Sequence, residues 1–180
     1  MTDANADIGW LRRMTAADLQ VVLVLRNHPE IRRYMLTRHE ISSEEHLAWY
    51  QRAMQNPGIE LLVFELNGTC CGFVQFKETS FQGVVDWGFY TDPESTAGTG
   101  RKLGRAALRH AFEKDKLHKI CGQAFHWNHP SIEFHKSLGF VQEGVLRDHH
   151  FDGVTYHGLV SFGILKHEWA DNCLPKGRIE

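Results

Sequence analysis

The chain has 180 residues, 42% of them hydrophobic, which suits one compact domain with a sizeable core spanning 1–180 and disfavours a two-domain reading. A formal net charge of −2, with twelve His and no run of basic residues, lacks the electrostatic footprint of a nucleic-acid or anionic-membrane binder, so a small-molecule partner is expected. No apolar stretch approaches the roughly 20 residues that span a bilayer, and Met1 to Gly9 lacks the basic and apolar regions of a signal peptide, so the expected location is cytoplasmic.

In chain order, a short strand is expected around Trp10 to Arg12. Thr15 then stands as the N-cap of a helix through Asp18, Leu19, Val22, Leu23 and Leu25, closed by Pro29. A second short helical piece follows near Ile31 to Met35. Ser42 and Glu45 have capping-box spacing and open a helix to about Gln55, ended by Pro57 and Gly58. Leu61 to Leu66 and Thr69 to Lys77 read as strands joined by Asn67-Gly68, a strong signal for a two-residue hairpin turn. The turn at Gln82-Gly83 leads into a third strand, Val84 to Thr91. A helix carrying Leu103, Ala107, Leu108 and Phe112 comes next, then a strand Lys119 to Phe125 and a helix Pro130 to Leu138. Two closing strands, around Val141 to Phe151 and Thr155 to Lys166, are separated by Asp152-Gly153. Residues 1–8 and 174–180 are expected to be loose termini. Cys70, Cys71, Cys121 and Cys173 form no CxxC pair and are expected to be reduced thiols.

The most informative stretch is Thr91 to Arg105, TDPESTAGTGRKLGR, a glycine turn set directly between a strand and a helix. The first N–H groups of a helix have no internal partner, and Gly98 and Gly100 carry no Cβ to hold off a ligand's oxygens, so the turn suits a pyrophosphate. Arg101 and Lys102 add two positive charges. Taken alone, a GxG is equally a plain turn with a capped helix.

The glycine turn, together with the block Asn128-His129-Pro130-Ser131-Ile132-Glu133-Phe134-His135-Lys136-Ser137-Leu138-Gly139-Phe140, resembles the GCN5-related N-acetyltransferase superfamily over nearly the whole chain. The resemblance implies an α+β fold, in which a central, mostly antiparallel mixed sheet of about seven strands splays at strands 4 and 5 and is flanked by helices. It also implies acetyl-CoA as the acetyl donor, no metal, and an amine acceptor. A homodimer is compatible with it. Two departures stand out. Ala97 and Lys102 replace the Gln/Arg and the small residue of the usual pyrophosphate loop, and His135 stands where many members carry the tyrosine that protonates the departing thiolate. Phe89, Tyr90, Thr91, Gly98, Thr99, Gly100, Arg101, Lys102, Leu103 and Asn128 are the cofactor contacts it implies.

The segment Arg26-Asn27-His28-Pro29-Glu30-Ile31, then Met35, then Ile41 to Trp49, is similar to the branch that N-acetylates a UDP-linked 4-amino-4,6-dideoxy sugar in pseudaminic acid synthesis, which feeds flagellin and surface-glycan glycosylation. Branches acting on protein N-termini or polyamines share part of this pattern. A catalytically degenerate acyl-CoA-binding module is the alternative of another class. Arg26, Tyr34, Met35, His46, Trp49 and Trp87 are the expected substrate contacts, an arginine for the diphosphate and aromatic faces for stacking. Ordinary helix packing accounts equally for Met35 and Trp49.

The amine must be neutral to attack, so a base is needed within hydrogen-bond reach. His126, at the end of the fifth strand, is either that base or a partly exposed strand-end histidine. His135 is either the acid partner of the thiolate or a histidine on a helix surface. A bulge in Val84 to Thr91, near Trp87, Gly88 and Phe89, is expected to free an N–H for the developing oxyanion. Asn128 either holds the pantetheine arm or caps the following helix, or does both. Asp86 is left out of the catalytic set. His149 and His150, adjacent on a strand, face opposite sides and do not share a metal.

Overall fold

A computed structural model describes residues 9–114 and 116–173. The expected loose termini, 1–8 and 174–180, lie outside the described residues. The elements are β1 (Trp10–Arg13), a 3-10 turn (Ala16–Asp18), α1 (Leu19–Asn27), α2 (Pro29–Arg32), α3 (Ser43–Met54), β2 (Ile59–Leu66), β3 (Thr69–Glu78), β4 (Val84–Thr91), α4 (Thr99–Phe112), β5 (Lys119–Phe125), α5 (His129–Ser137), β6 (Val141–Phe151), β7 (Tyr156–Leu165) and α6 (Lys166–Cys173). They form one seven-stranded sheet in the order β1-β2-β3-β4-β5-β7-β6. Each pairing is antiparallel except β4 with β5.

Local chemistry explains most of these elements. Asn67 and Gly68 take φ of 50° and 77°, the left-handed pair that a two-residue hairpin needs, and so join β2 to β3. Ser42 Oγ accepts from the Glu45 N–H at 3.1 Å and starts α3. Pro29 does more than close α1, since it occupies the first turn of α2, where its missing N–H costs nothing. Thr15 precedes a 3-10 turn rather than the helix itself, and the Asp18 carboxylate accepts from both its N–H and its hydroxyl, at 2.8 and 2.9 Å. The last element, α6, was not anticipated, because the run after β7 has neither an apolar period nor a capping signal of its own.

Two apolar cores lie on opposite faces of the sheet. In α4 the buried residues Leu103, Gly104, Ala107, Leu108, Ala111 and Phe112 recur at helical spacing, and that stripe packs with Leu138, Phe140, Phe162 and Ile164 on one face. On the other face Val22, Ala53, Leu61, Val63 and Phe73 bury the inner sides of α1 and α3. An ionic cluster anchors the edge strand to this second layer. Arg12 donates to Glu65 Oε1 through Nε and Nη2, at 2.8 and 2.6 Å, and to Asp18 through Nη1 and Nη2, at 2.8 and 2.7 Å. The guanidinium holds the Asp18 carboxyl down to about 2.

Both carboxylates are buried, so removing their cation leaves them desolvated without a partner. Arg12→Leu is therefore expected to lower unfolding free energy by about 3 kcal/mol, read as a shift of the urea midpoint at pH 7. A change within the error of the midpoint would show that the cluster contributes nothing net.

Candidate active site

The site begins where two strands stop pairing. β4 and β5 share only three register pairs, Val84 with Lys119, Val85 with Ile120 and Asp86 with Cys121. Beyond Asp86, β4 keeps only β3, and beyond Cys121, β5 keeps only β7, so a V-shaped cleft opens between them. The Thr79 N–H donates to the Val84 carbonyl at 3.1 Å and the Asp92 N–H to the Cys71 carbonyl at 2.9 Å. Alternation along an antiparallel ladder then turns the main-chain groups of Val84, Asp86, Gly88 and Tyr90 toward β3 and those of Trp87, Phe89 and Thr91 toward the β5 side; the last β4–β5 rung uses the Trp87 N–H, which leaves those of Phe89 and Thr91 in the cleft. The expected bulge in β4 is absent, its register with β3 being unbroken from Val85 to Thr91. Splaying exposes the donors instead.

The same alternation divides the side chains. Trp87 and Phe89 pack in the core beneath α4 and α5, while Tyr90 packs in the layer of α1 and α3. A Cβ added to Gly88 would meet nothing within 4 Å, so the cleft is open above it on the α1–α3 side. The whole cleft has a volume of about 920 Å³.

At one mouth stands the N-terminus of α4. Gly98 caps it with φ of 90°, and a Cβ there would meet no protein atom within 4 Å, so the constraint is conformational. The Lys102 N–H is the first to join the helical ladder, on the Gly98 carbonyl at 3.1 Å, and the Thr99 N–H turns back to the Thr96 carbonyl at 3.2 Å. Gly100 and Arg101 between them keep first-turn N–H groups aimed out of the helix. Of the expected cofactor contacts, Phe89, Tyr90, Thr91, Gly100 and Asn128 line the cleft. Gly98 and Arg101 are exposed at its outer rim. Lys102 is half-buried in the first turn of α4, outside the cleft wall. Thr99 and Leu103 are corrections, because their side chains are buried, Thr99 Oγ1 donating to the Thr96 carbonyl at 2.8 Å and Leu103 filling the core against Gly72. Asn128 caps α5, its Oδ1 accepting from the Ser131 N–H at 3.2 Å, while also facing the cleft.

The other arm of the cleft gathers Arg26, Tyr34, Met35, His46 and Trp49, and Trp87 lies at its base. These six expected substrate contacts are brought together by α1, α2, α3 and β4. Arg26 Nη2 donates to the Thr37 carbonyl at 2.9 Å, but Nη1 is buried without a hydrogen-bond partner. His46 stacks on Trp49 with centroids 5.0 Å apart, its Nε2 is also buried and unpartnered, and burial lowers its pKa. Gln75, Asp86, Gln123, Glu30, Glu45 and Arg52 line the same arm and were not anticipated, although the alternation of β4 places Asp86 beside Gly88 and Tyr90.

The arm is closed by the segment 33–42. Asn27 holds it through two bonds of 2.8 Å to the main chain of Ile41. Arg38 reaches across to the β6–β7 hairpin, with Nη1 3.0 Å from Asp152 Oδ2 and its guanidinium 5.8 Å from the centre of the Trp127 ring. Trp127 in turn stacks on Tyr34 at 5.5 Å. His157, at 2.7 Å, and the N–H groups of Val154 and Thr155 also converge on Asp152 and depress its pKa.

The two expected catalytic histidines are placed quite differently from that expectation. His126 is exposed past the end of β5, with Nδ1 3.3 Å from the Gly158 carbonyl, and does not line the cleft. His135 does reach the cleft wall but is 1% exposed. Its Nδ1 lies 2.7 Å from the Ser131 carbonyl, which can only accept, so Nδ1 carries the proton. Nε2 then accepts from the Trp87 indole N–H at 3.1 Å. Burial lowers its pKa to about 4. With both nitrogens committed and the ring neutral, His135 has no proton to give a thiolate.

The sequence matches the family described as "Acetyltransferase (GNAT) domain" over residues 10–141. The chain belongs to the GNAT acetyltransferase family. It is similar to acetyltransferase PseH of Campylobacter jejuni, with 24% identity over 128 residues covering 71% of this chain and 80% of that one. To the L-methionine sulfoximine/L-methionine sulfone acetyltransferase of Salmonella typhimurium it is 29% identical over 139 residues, covering 73% and 79%. Among solved structures, the spermidine N-acetyltransferase of Vibrio cholerae in complex with CoA and spermine superposes with a TM-score of 0.81 at 24% identity, covering 91% of this chain and 98% of that one. The acetyl-CoA complex of YncA, an acetyltransferase of Salmonella typhimurium, gives 0.71 at 23% identity, covering 89% and 95%. The protein is thus an acetyl-CoA-dependent N-acetyltransferase. Among the described residues no group of His, Cys, Asp or Glu is arranged to hold a metal, and no helix is long and apolar enough to cross a membrane.

Two outcomes are expected. His135 is neutral in the fold and protonates near its ordinary pKa when unfolded. The unfolded chain therefore binds the extra proton between about pH 6.5 and 4, and stability must fall as pH falls through that window. Chemical denaturation should show a loss of about 2 kcal/mol from pH 7 to pH 4.5, and His135→Gln should flatten that slope. Arg38→Ala should raise acceptor KM about fivefold, equivalent to ~1 kcal/mol of ion-pair and ring contact, with kcat nearly unchanged in steady-state assays.

Proposed function

We propose that the acceptor is a UDP-linked 4-amino-4,6-dideoxy sugar, acetylated on its 4-amino group as in pseudaminic acid biosynthesis. The observation that carries this reading is Arg26, which lines the cleft with its Nη1 buried and without a hydrogen-bond partner, beside the stacked rings of His46 and Trp49. A buried guanidinium donor left open is costly unless an anion fills the position, and a diphosphate supplies acceptors for its fork. Tyr34, Trp49 and Met35 offer flat apolar surface for a base and a deoxysugar. The likeness of the Arg26 to Trp49 segment to that branch and the similarity to PseH support the reading as well.

The chemistry follows from the split side chains of β4. The amine comes over the open surface of Gly88, on the α1–α3 side, where Asp86 and Glu45 are the carboxylates able to receive its proton through water. The inward N–H group of Phe89 meets negative charge as it develops on the acyl oxygen. Holding the two reactants in register supplies much of the rate, and no covalent enzyme intermediate is required.

A second reading has its own observation. Glu30, Glu45 and Asp86 on the cleft wall suit a cationic acceptor such as a polyamine. Glu30 and Glu45 are already engaged by Arg33 and His39, each at 3.0 Å, which weakens that wall for a polycation.

Thiol release from acetyl-CoA should be measured with the UDP-amino sugar beside spermidine, L-methionine sulfone and a peptide with a free N-terminus. Selective turnover of the sugar nucleotide is expected, and Arg26→Leu should raise its KM by ~10- to 100-fold, the worth of a charged hydrogen bond. Preference for spermidine, or a KM for the sugar indifferent to Arg26, would overturn the assignment.

A further inference from the structure

We propose that Trp87, clamped by His135, sets the length of the acyl group this acetyltransferase accepts, and that His135 is a positioning residue for that indole. The reacting carbonyl has to lie within reach of the first inward N–H group past the last β4–β5 rung, that of Phe89. The amine arrives over Gly88, and the donor's thioester sulfur lies toward the mouth at α4. The remaining substituent of the carbonyl, the acyl chain, then points into the vertex of the V.

That vertex is closed by one ring. Trp87 follows directly on Asp86, the last residue of β4 paired with β5, and is 7% exposed. Its indole packs on Phe89 and Phe140, with centroids 4.7 and 5.0 Å away, and its N–H reaches across to His135 on α5. Gly122 of β5 permits the crossing, since a Cβ there would lie 2.6 Å from Trp87 Nε1 and 2.4 Å from His135 Nε2. His135 is itself fixed on both sides, by the Ser131 carbonyl and by a stack on Phe162 with centroids 4.7 Å apart. The indole therefore has one orientation, in which it fills the space that a third or fourth acyl carbon would need.

This inference rests on acetyl-CoA as donor and not on the identity of the acceptor, so binding alone tests it. Affinities of acetyl-, propionyl- and butyryl-CoA are measured by calorimetry for the wild type, Trp87→Phe, His135→Gln and His135→Leu, with thermal melts confirming that each is folded. The wild type should bind butyryl-CoA at least ~10-fold more weakly than acetyl-CoA, as one or two misfitting methylenes imply. Trp87→Phe should bring that ratio to within about threefold, because the smaller ring opens the vertex. His135→Gln, which keeps an acceptor for the indole, should retain the wild-type ratio, while His135→Leu should lose it as Trp87→Phe does. A role in stability alone would weaken the three donors equally. A wild type that does not discriminate, or a ratio identical in all four proteins, would overturn the proposal.

Discussion

Everything at this site depends on the hydrogen-bond rungs that β4 and β5 do not make beyond their three register pairs. A parallel pair that continued past Asp86 and Cys121 would satisfy the inward N–H and C=O groups of β4 with β5 and leave no cleft. Instead the pairing stops after the rung that takes the Trp87 N–H, and the main-chain groups of Phe89 and Thr91 are left along a rigid edge whose other side stays locked to β3. Unsatisfied backbone groups are costly when buried, so they persist only where a ligand or water takes the place of the absent strand. The donor of an acyl transfer is such a ligand.

Aromatic packing holds the strands apart. Trp87, Phe89, Phe134, Phe140 and Phe162 surround His135, and the only polar atoms in that box are paired with one another or with the Ser131 carbonyl among the described residues. A fully satisfied buried polar pair specifies one arrangement of its neighbours, whereas a half-satisfied one is a defect. At this position of the fold a tyrosine hydroxyl supplies a proton in many members that the sequence resembles. A neutral imidazole that accepts from an indole serves geometry, and the departing thiolate must draw its proton from elsewhere, such as solvent at the open mouth.

The parts of this architecture that were legible in the sequence are those written in local chemistry. Asn67-Gly68, Ser42 with Glu45, the β-branched run of β4 and the apolar stripe of α4 each announce an element within a few residues. The resemblance of the Gly98 and Asn128 blocks then supplied a mixed sheet of about seven strands splayed at the fourth and fifth, while the exchange of β6 and β7 in the sheet order came from the structure. Long-range pairing was not legible. Trp87 and His135 are 48 residues apart, and only the folded chain shows that the indole N–H occupies the lone pair of the nitrogen that would have to carry a proton for His135 to act as an acid. His126 misled for a related reason. It follows Phe125 at a strand end, and its side chain is turned toward Gly158 of the neighbouring strand rather than into the V. Leu103, which the resemblance placed among the cofactor contacts, lies in the buried stripe whose helical spacing the sequence already showed.

The two arms of the cleft are built with different stiffness. The donor arm consists of β4, α4 and α5, locked by the larger core and by close contacts such as the approach of Gly104 to Leu138 and Phe134. The acceptor arm consists of short α2, the segment 33–42 and α3, held at its outer edge by Asn27 and by Arg38 reaching to the β6–β7 hairpin. Surface ion pairs of that kind contribute little individually. Substitutions there are therefore expected to reshape the arm lined by Arg26, Tyr34 and Trp49 without disturbing the splay of the sheet.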